Sequence, residues 1–362
     1  MTFHYCGPIR PSPHQTPGDR KDTTSDSRVR HRTIDFHCHL LTLAVEPLVA
    51  DRPQKRNEPA NLLKAMGEQS VAHNNAVMLP QAFPKLTRLE ERLADMNAMG
   101  VEIQVISPSP TQYYYWADRG LAIQLVRIQN EHVAGICAQH PERFVGLGTL
   151  ALQYPELAAE QLEYAMRQLG LKGVEISTSI NTEELDAECL LPFWKKAEDL
   201  GVLVMLHPNG FTDAKRLERF YFNNIIGNPF ETTLALHYLI FDGVLERHPK
   251  LKILAVHGGG YLGGYPGRID HAWGARSDSH GALPQPPTTY LKRVYVDTVV
   301  FTPYQLAELV RVFGADHVVM GTDYPYDMAE FDPIGHIAGV EGFDASTIAA
   351  LAGGNAKRLL GI

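Results

Sequence analysis

The sequence predicts an α/β protein built as a (β/α)8 barrel, also called a TIM barrel. The first observation is that eight short apolar runs alternate with longer segments of helical periodicity, which indicates a parallel sheet. The second is that eight such units over ~330 residues suit a closed barrel better than an open doubly wound sheet. The third is that no G-x-G-x-x-G motif follows the first run, which disfavours a dinucleotide-binding fold.

The predicted strands are short and almost wholly apolar, as expected for strands of a parallel sheet that is covered on both faces. They cover residues 33–37, 101–107, 143–150, 173–176, 202–207, 252–257, 293–298 and 318–323. Helices are predicted near residues 85–99, 118–139, 155–169, 187–199, 229–247, 261–276, 302–313 and 344–361. The stretch 40–84, after the first strand, is predicted to be an insertion that helps to build the substrate pocket.

Residues 1–32 differ from the rest of the chain and are predicted to form an irregular N-terminal arm. Prolines between residues 8 and 17 interrupt regular structure there, and small polar and charged residues fill the remainder. Its acidic residues, such as Asp19 and Asp22, disfavour a transit peptide. The barrel domain is therefore expected to cover residues 33–362.

Composition and charge exclude several classes of function. A net charge of −8 does not indicate a nucleic-acid partner. No apolar stretch approaches the ~20 residues that a membrane span requires, and the N-terminus lacks the apolar core of a secretory signal. The four cysteines show no close pairing pattern, so we expect a cytoplasmic protein without disulfide bonds.

Residues that bind metals or titrate stand at the ends of four predicted strands, where the active sites of such barrels lie. His37 and His39 end the first strand, and because side chains two apart on a strand share a face, they can share one ion. His207, His257 and Asp323 end the fifth, sixth and eighth strands. A single histidine at a strand end is more often a hydrogen-bonded structural residue than a ligand, and Asp323 alone could cap the following turn, but together these residues predict a metal site. Three glycines after His257 leave space beside it, which favours a catalytic role for this residue.

Several longer motifs accompany these residues. They are Ile34-Asp35-Phe36-His37-Cys38-His39, the segment 95–101, His207-Pro208, Glu246-Arg247-His248-Pro249, His257-Gly258-Gly259-Gly260, Arg268 with Asp270, Asp297-Thr298, Gly321-Thr322-Asp323-Tyr324-Pro325 and Gly354-Asn355-Ala356. In combination they resemble the amidohydrolase superfamily, in particular the branch of α-amino-β-carboxymuconate-ε-semialdehyde decarboxylase and related aromatic-acid decarboxylases. The resemblance runs from about residue 33 to residue 362 and leaves out the arm.

The resemblance implies a site for one divalent metal ion, with His37, His39, His207 and Asp323 as ligands. Zinc is the expected ion, and manganese is the alternative because some aromatic-acid decarboxylases of the branch use it. The resemblance also implies that His257 lies beside the metal-bound water as an acid/base group, with His257 or Asp323 controlling proton delivery. It further implies a small carboxylic acid as substrate and a homodimer as the oligomeric state.

The chain departs from the branch at one substrate-binding position. The muconate-semialdehyde enzymes carry an arginine shortly before the helix that leads to strand two, and it holds a substrate carboxylate. The corresponding stretch, residues 73–80, contains no arginine. Asn74 or Asn75 is expected to bind a less charged group there, and Arg268 is a candidate carboxylate anchor, although a surface or ion-pair role explains it equally well. Tyr221, within the aromatic run 220–222, and the run 113–116 are expected to form walls against a flat substrate.

The resemblance favours a metal-dependent decarboxylase of an aromatic or unsaturated, muconate-type carboxylic acid. The alternative is a metal-dependent hydrolase or hydratase that acts on a carbonyl, lactone or activated double bond, since the same ion activates water. A non-catalytic barrel is disfavoured by the complete ligand set. Glu175 stands near the position of the bridging ligand in binuclear amidohydrolases, but a single metal is the preferred interpretation.

Overall fold

The computed structural model describes residues 32–211 and 213–362. Apart from Arg32, the irregular arm predicted for residues 1–32 lies outside the described residues, so the arm and the domain boundary behind it remain predictions. All eight predicted strands are present, each within four residues of its expected limits. The predicted (β/α)8 architecture is thereby confirmed.

We number the barrel strands in chain order from β1 to β8. They are β1 Ile34–Leu40, β2 Ile103–Pro108, β3 Phe144–Gly146, β4 Gly173–Ile176, β5 Leu203–Leu206, β6 Lys252–Ala255, β7 Val294–Asp297 and β8 Val318–Val319. A small antiparallel hairpin, Ser179–Ile180 with Glu183–Glu184, follows β4.

The barrel strands form two parallel arcs. One arc has the order β1-β2-β3 and the other the order β8-β7-β6-β5-β4. Two single bridges connect them in barrel order, Gly148 with Val174 and Cys38 with Tyr324. At the second junction the N–H of His39 also donates to the carbonyl of Tyr324 at 2.8 Å. The hydrogen-bonded ladder is therefore interrupted between β3 and β4 and between β8 and β1. At each of these two junctions a single bridge connects the arcs.

Helices cover the strands on the outside. The longer ones are Pro53–His73, Leu79–Thr87, Leu89–Met99, Arg119–Gln139, Pro155–Arg167, Leu191–Leu200, Asn228–Phe241, Gly267–Ala275 and Pro303–Phe313. Shorter helical segments are Leu43–Val45, Glu46–Val49, Pro110–Gln112, Glu188–Leu190, Ala214–Arg216, Val244–Arg247, Val256–Gly259, Ser277–His280, Thr288–Leu291, Pro333–Ala338, Ala345–Ala349 and Asn355–Leu360, and π-helical turns lie at Asn74–Met78, Asn223–Gly227 and Ala350–Gly354. Among the described residues, no helix combines the length and apolar character needed to cross a membrane.

Two predicted helix boundaries are wrong. The helix expected at 85–99 is divided at Arg88, whose backbone is extended, and its first part continues a helix of the insertion. The helix expected at 261–276 begins at Gly267. Gly263 and Gly264 weaken a helix before that point, and Pro266 suits a helix start better than its interior.

Apolar side chains pack on both faces of the strands, which explains their continuous apolar runs. Phe36, Val105, Met205 and Leu254 belong to the cluster inside the barrel, which also includes residues of the last helix, Asn355–Leu360. A larger cluster joins the outer faces of the strands to the surrounding helices. The polar residues at the carboxyl ends of the strands are thus held by a rigid scaffold.

Candidate metal centre

A β-bulge in β1 aims two histidines into the barrel. The register of β1 on β2 shifts between Asp35 and Cys38, so that two residues of β1 oppose one residue of β2. Beyond this bulge His37 and His39 share a face, and their Nε2 atoms lie 3.2 Å apart. Cys38 packs in the outer cluster instead. Both imidazoles are fully buried.

Hydrogen bonds fix which nitrogen of each imidazole faces the centre. Nδ1 of His37 lies 2.7 Å from Oδ2 of Asp297, and Nδ1 of His207 lies 2.6 Å from the carbonyl oxygen of Pro208. Because both partners are acceptors, each Nδ1 carries a proton, and Nε2 is the nitrogen that presents a lone pair when the imidazole is neutral. Nε2 of His207 is buried and has no hydrogen-bond partner among the described residues.

Asp323 completes the cluster from the residues that follow β8. Its Oδ1 lies 3.4 Å from Nε2 of His37 and 3.3 Å from Nε2 of His39. Burial alone would raise the pKa of Asp323, but the neighbouring His37, His257 and His39 hold it well below its usual range. The backbone of Asp323 is left-handed, with a φ of 63°. Such strained positions are common at functional sites.

His257 lies beside this group, on the turn after β6. Its Nε2 is 3.8 Å from Oδ2 of Asp323, and its Nδ1 is buried without a hydrogen-bond partner among the described residues. Side-chain donor atoms of His37, His207, His257 and Asp323 all lie within 4.8 Å of one another. The backbone of His257 is in the left-handed region, with a φ of 54°, and the three glycines that follow it also have positive φ.

Neighbouring charges set the protonation of the imidazoles. Burial opposes the charged form of His37, but Asp323 and Asp297 outweigh it and raise the pKa of His37 to about 9. Burial, followed by the nearby His39 and His37, lowers the pKa of His207 well below its usual range. Without an ion, the centre therefore combines an ionised Asp323 carboxylate and a neutral His207 with a His37 that loses its second proton only near pH 9. This donor set fits a divalent cation. The cation and a proton compete for the lone pair of His37.

Two buried carboxylates to which we assigned no ligand role support the imidazoles. Asp297 binds His37, as described above. Glu175 of β4 accepts hydrogen bonds from the hydroxyls of Tyr113 at 2.7 Å and Ser107 at 2.5 Å, and its Oε2 lies 3.6 Å from Nδ1 of His39. Glu175 is thus engaged by hydroxyl donors rather than directed at a second ion. Asp297 stands near the end of a predicted strand and within the Asp297-Thr298 motif, and these two features were its sequence signals.

The residues predicted to contact substrate differ in burial. Tyr221 is half-buried, with a φ of 61°, and burial followed by the charges of Asp327 and Asp323 raises its pKa. Asn74 and Asn75 lie on a π-helical turn of the insertion; the first is half-buried and the second exposed. These assignments remain predictions.

Arg268 and the aromatic run 113–116 have surroundings that the sequence does not indicate. Arg268 is exposed, and no hydrogen bond or ion pair involves its side chain within the described part of the chain. Tyr113 and Tyr115 are buried and stacked, with ring centroids 5.5 Å apart. The hydroxyl of Tyr115 accepts a hydrogen bond from the N–H of Ser177. These two rings therefore support strand ends and the carboxylate of Glu175.

Comparison with known proteins agrees with this geometry. The chain is 35% identical over 272 residues to the 2-amino-3-carboxymuconate-6-semialdehyde decarboxylase of Dictyostelium discoideum, which covers 75% of this chain and 76% of that protein. The structure of 5-carboxyvanillate decarboxylase from Sphingomonas paucimobilis aligns over 92% of this chain and 99% of its own, with a TM-score of 0.78 and 26% identity.

A second solved structure shows the same fold at lower identity. The 5-carboxyvanillate decarboxylase of Novosphingobium aromaticivorans, crystallised with manganese and 4-hydroxy-3-methoxy-5-nitrobenzoic acid, aligns over 92% of this chain and 97% of its own, with a TM-score of 0.82 and 24% identity. The amidohydrolase family model matches residues 34–362, which is nearly the whole barrel. The chain therefore belongs to the amidohydrolase family, as its motifs predict.

Proposed function

We propose that this protein is a metal-dependent, non-oxidative decarboxylase of an aromatic or unsaturated, muconate-type carboxylic acid. The observation that carries the proposal is the buried set of imidazole nitrogens and the Asp323 carboxylate, beside His257, in a chain whose relatives bear decarboxylase names. The reaction breaks the bond between the substrate carbon and its carboxylate, and a proton takes the place of the CO2 that leaves. No redox cofactor is needed for this exchange.

We infer that one divalent ion is held by His37, His39, His207 and Asp323. Three nitrogens and one carboxylate oxygen suit zinc. Manganese prefers sites richer in oxygen, but it is the competing ion because a related structure contains it. When bound, the ion supplies positive charge that stabilises negative charge developing on substrate oxygens, worth several kcal/mol. Asp297 and Glu175 support this role because they fix His37 and lie against His39.

His257 is the residue to which we assign the proton of the reaction. Its side chain is 12% exposed, so it faces the space where substrate would lie while its backbone is fixed by Asp297. The ionised carboxylate of Asp323, whose Oδ2 lies 3.8 Å from Nε2 of His257, favours the protonated form of this imidazole through its charge. A proton held here reaches a substrate carbon only when the carboxylate is bound next to the cluster.

Substrate contacts are assigned to Tyr221, Asn74, Asn75 and Arg268. The proximity of Tyr221 to Asp323 supports its place at the wall of the site. The two asparagines lie on the insertion after β1, at the carboxyl end of the barrel. Arg268 is the weakest of the four because it is exposed.

We also propose a homodimer that acts in the cytoplasm. The described cysteines, Cys38, Cys137 and Cys189, are free thiols, which supports a reducing compartment. Large apolar side chains such as Phe220, Phe301 and Tyr304 are exposed, and a second subunit would cover such a surface. Light scattering coupled to size-exclusion chromatography measures the mass that decides between monomer and dimer.

The reaction is tested by screening metal-replete protein against aromatic and muconate-type carboxylic acids, with CO2 detection and turnover in ¹⁸O-labelled or deuterated water. A decarboxylase releases CO2 and takes up one solvent deuterium at the carbon that lost it. A hydrolase or hydratase places solvent ¹⁸O in its organic product. Stoichiometric ¹⁸O in the product without CO2 release rejects the proposal.

A further inference from the structure

A cavity of about 300 Å³ lies beside the end of β1, at Leu40, the residue that follows the proposed ligand His39. It is bounded by the helices Leu79–Thr87, Leu89–Met99 and Arg119–Gln139, and none of the proposed metal ligands lines it. Its volume is at the lower end of the range for small-molecule sites. One part of its wall is apolar and includes Leu40, Leu86 and Ile136.

The charged part of the wall contains three cations and a single carboxylate. Lys85 is paired with Asp95 at 2.7 Å, and the carboxylate, Glu131, is paired with Arg127 at 2.7 Å. Arg88 is largely exposed. Burial lowers the pKa of His132, another wall residue, which is therefore uncharged at neutral pH.

Arg92 is the remaining cation, and its contacts are to neutral groups rather than to a carboxylate. It is 2% exposed, and its guanidinium donates to the side-chain oxygen of Gln104 at 3.0 Å and to the carbonyls of His39 and Lys85. Within the described residues no carboxylate forms an ion pair with it. A buried charge without a counter-ion is unfavourable, so an anion in the cavity would be stabilised by Arg92.

Gly135 indicates that the cavity is kept open. It lies in the interior of the helix Arg119–Gln139 and lines the cavity. A Cβ added at Gly135 would meet no atom within 4 Å, so close packing does not require glycine here. Because glycine weakens a helix interior relative to alanine, the position gives up helix stability and leaves space on the cavity side.

We propose that this cavity binds a small organic carboxylate. Its carboxylate group pairs with the guanidinium of Arg92, and its hydrocarbon body packs against Leu40, Leu86 and Ile136. Both hydrogens of Nη2 are used by the carbonyls of His39 and Lys85 and one of Nη1 by Gln104, so the carboxylate would meet the donors that remain on Nη1 and Nε. The site is separate from the metal centre, but Arg92 contacts both, since it donates to the carbonyl of His39 and lies 4.9 Å from the ring of Tyr324.

The test is calorimetric titration of the metal-replete full chain with benzoate as the probe. Benzamide has the same shape without the charge, and inorganic phosphate has charge without an apolar body. Gly135→Leu introduces a large side chain at a cavity position where a Cβ meets no neighbour, and Gly135→Ala is the matched control that adds only this atom. Metal content and melting temperature are recorded for each variant, so that a folding defect is seen directly.

We expect Gly135→Leu to weaken a benzoate-binding component at least tenfold while metal content is unchanged, and Gly135→Ala to keep it. Benzamide and phosphate should each bind this component at least tenfold more weakly than benzoate. Any benzoate bound at the metal centre persists in both variants and is subtracted. Identical benzoate isotherms for wild type and Gly135→Leu, or equal binding of benzamide, would overturn the proposal. Turnover is not measured, so the outcome is independent of the proposed reaction.

Discussion

The carboxylate of Asp297 joins His37 to the turn that carries His257. Its Oδ2 accepts hydrogen bonds from Nδ1 of His37 at 2.7 Å and from the backbone N–H of His257 at 3.1 Å, and its Oδ1 accepts the N–H of Gly258 at 2.8 Å. One buried carboxylate thus orients a proposed metal ligand and the proposed proton donor. Its pKa is held below the usual range, against burial, by His37 and His257.

Asp297→Asn should weaken metal binding by roughly 10–100-fold, as is usual when a carboxylate behind a ligating histidine is lost. The amide keeps the shape of the side chain but no longer fixes the proton on Nδ1 of His37. Affinity is measured by competition with a chromophoric chelator. Asp270→Asn is the matched control, because Asp270 binds Thr288 and does not contact the cluster. Equal affinities of the two variants would show that Asp297 does not act through His37.

Comparing His207→Ala with His257→Asn should distinguish the role of a metal ligand, assigned to His207, from that of a proton donor, assigned to His257. His207 contributes a buried nitrogen lone pair that no other described residue satisfies, so its loss should remove most of the ion measured by elemental analysis. His257→Asn should retain about one ion per chain while kcat falls by roughly 10²–10⁴-fold, the usual contribution of an acid/base group. If His257→Asn loses the ion as completely as His207→Ala, His257 is a ligand and our assignment is wrong.

Metal affinity should rise with pH until about pH 9. Without the ion, His37 has a pKa raised to about 9 by Asp323 and Asp297, against burial, so it is protonated at lower pH and an incoming ion must displace that proton. Affinity should therefore increase about tenfold for each pH unit up to that value and then level off. Chelator competition between pH 6.5 and 9.5 measures the slope. A flat profile would mean that His37 is already neutral in the metal-free protein.

The strands and the site were predictable for the same physical reason. Parallel strands buried on both faces produce apolar runs, and ligands at their carboxyl ends come together in any such barrel. The pairing of His37 with His39 follows from the two-residue period of a strand. The bulge that reverses the side-chain alternation after Phe36 has no sequence signal, because it depends on the register with β2.

Other features required the tertiary structure. Asp297 is 260 residues from His37, and nothing local indicates that the two meet. The helix break at Arg88 could not be predicted because the segments on both sides of it have helical periodicity. The short helix Pro333–Ala338 lies below the length at which periodicity is informative. Arg268 was chosen for its charge and its place in a motif, and exposure cannot be inferred from either.

The last prediction concerns the junction between β1 and β8, where the strand ladder is interrupted. There the buried hydroxyl of Thr322 donates to Oδ2 of Asp35 at 2.8 Å and accepts the N–H of Tyr324 at 3.1 Å. Thr322→Val keeps the shape of the side chain but removes one hydrogen bond from the buried carboxylate of Asp35 and one from the buried N–H of Tyr324. It should lower the free energy of unfolding by about 1–3 kcal/mol, measured by chemical denaturation.

Thr302→Val is the matched control for this substitution. The hydroxyl of Thr302 is also buried, but it has no hydrogen-bond partner among the described residues. Its removal should therefore change the free energy of unfolding by less than about 0.5 kcal/mol, or stabilise the protein. If Thr322→Val costs no more than Thr302→Val, the Asp35–Thr322 hydrogen bond does not stabilise the junction, and the backbone hydrogen bonds between β1 and the residues after β8 must hold it alone.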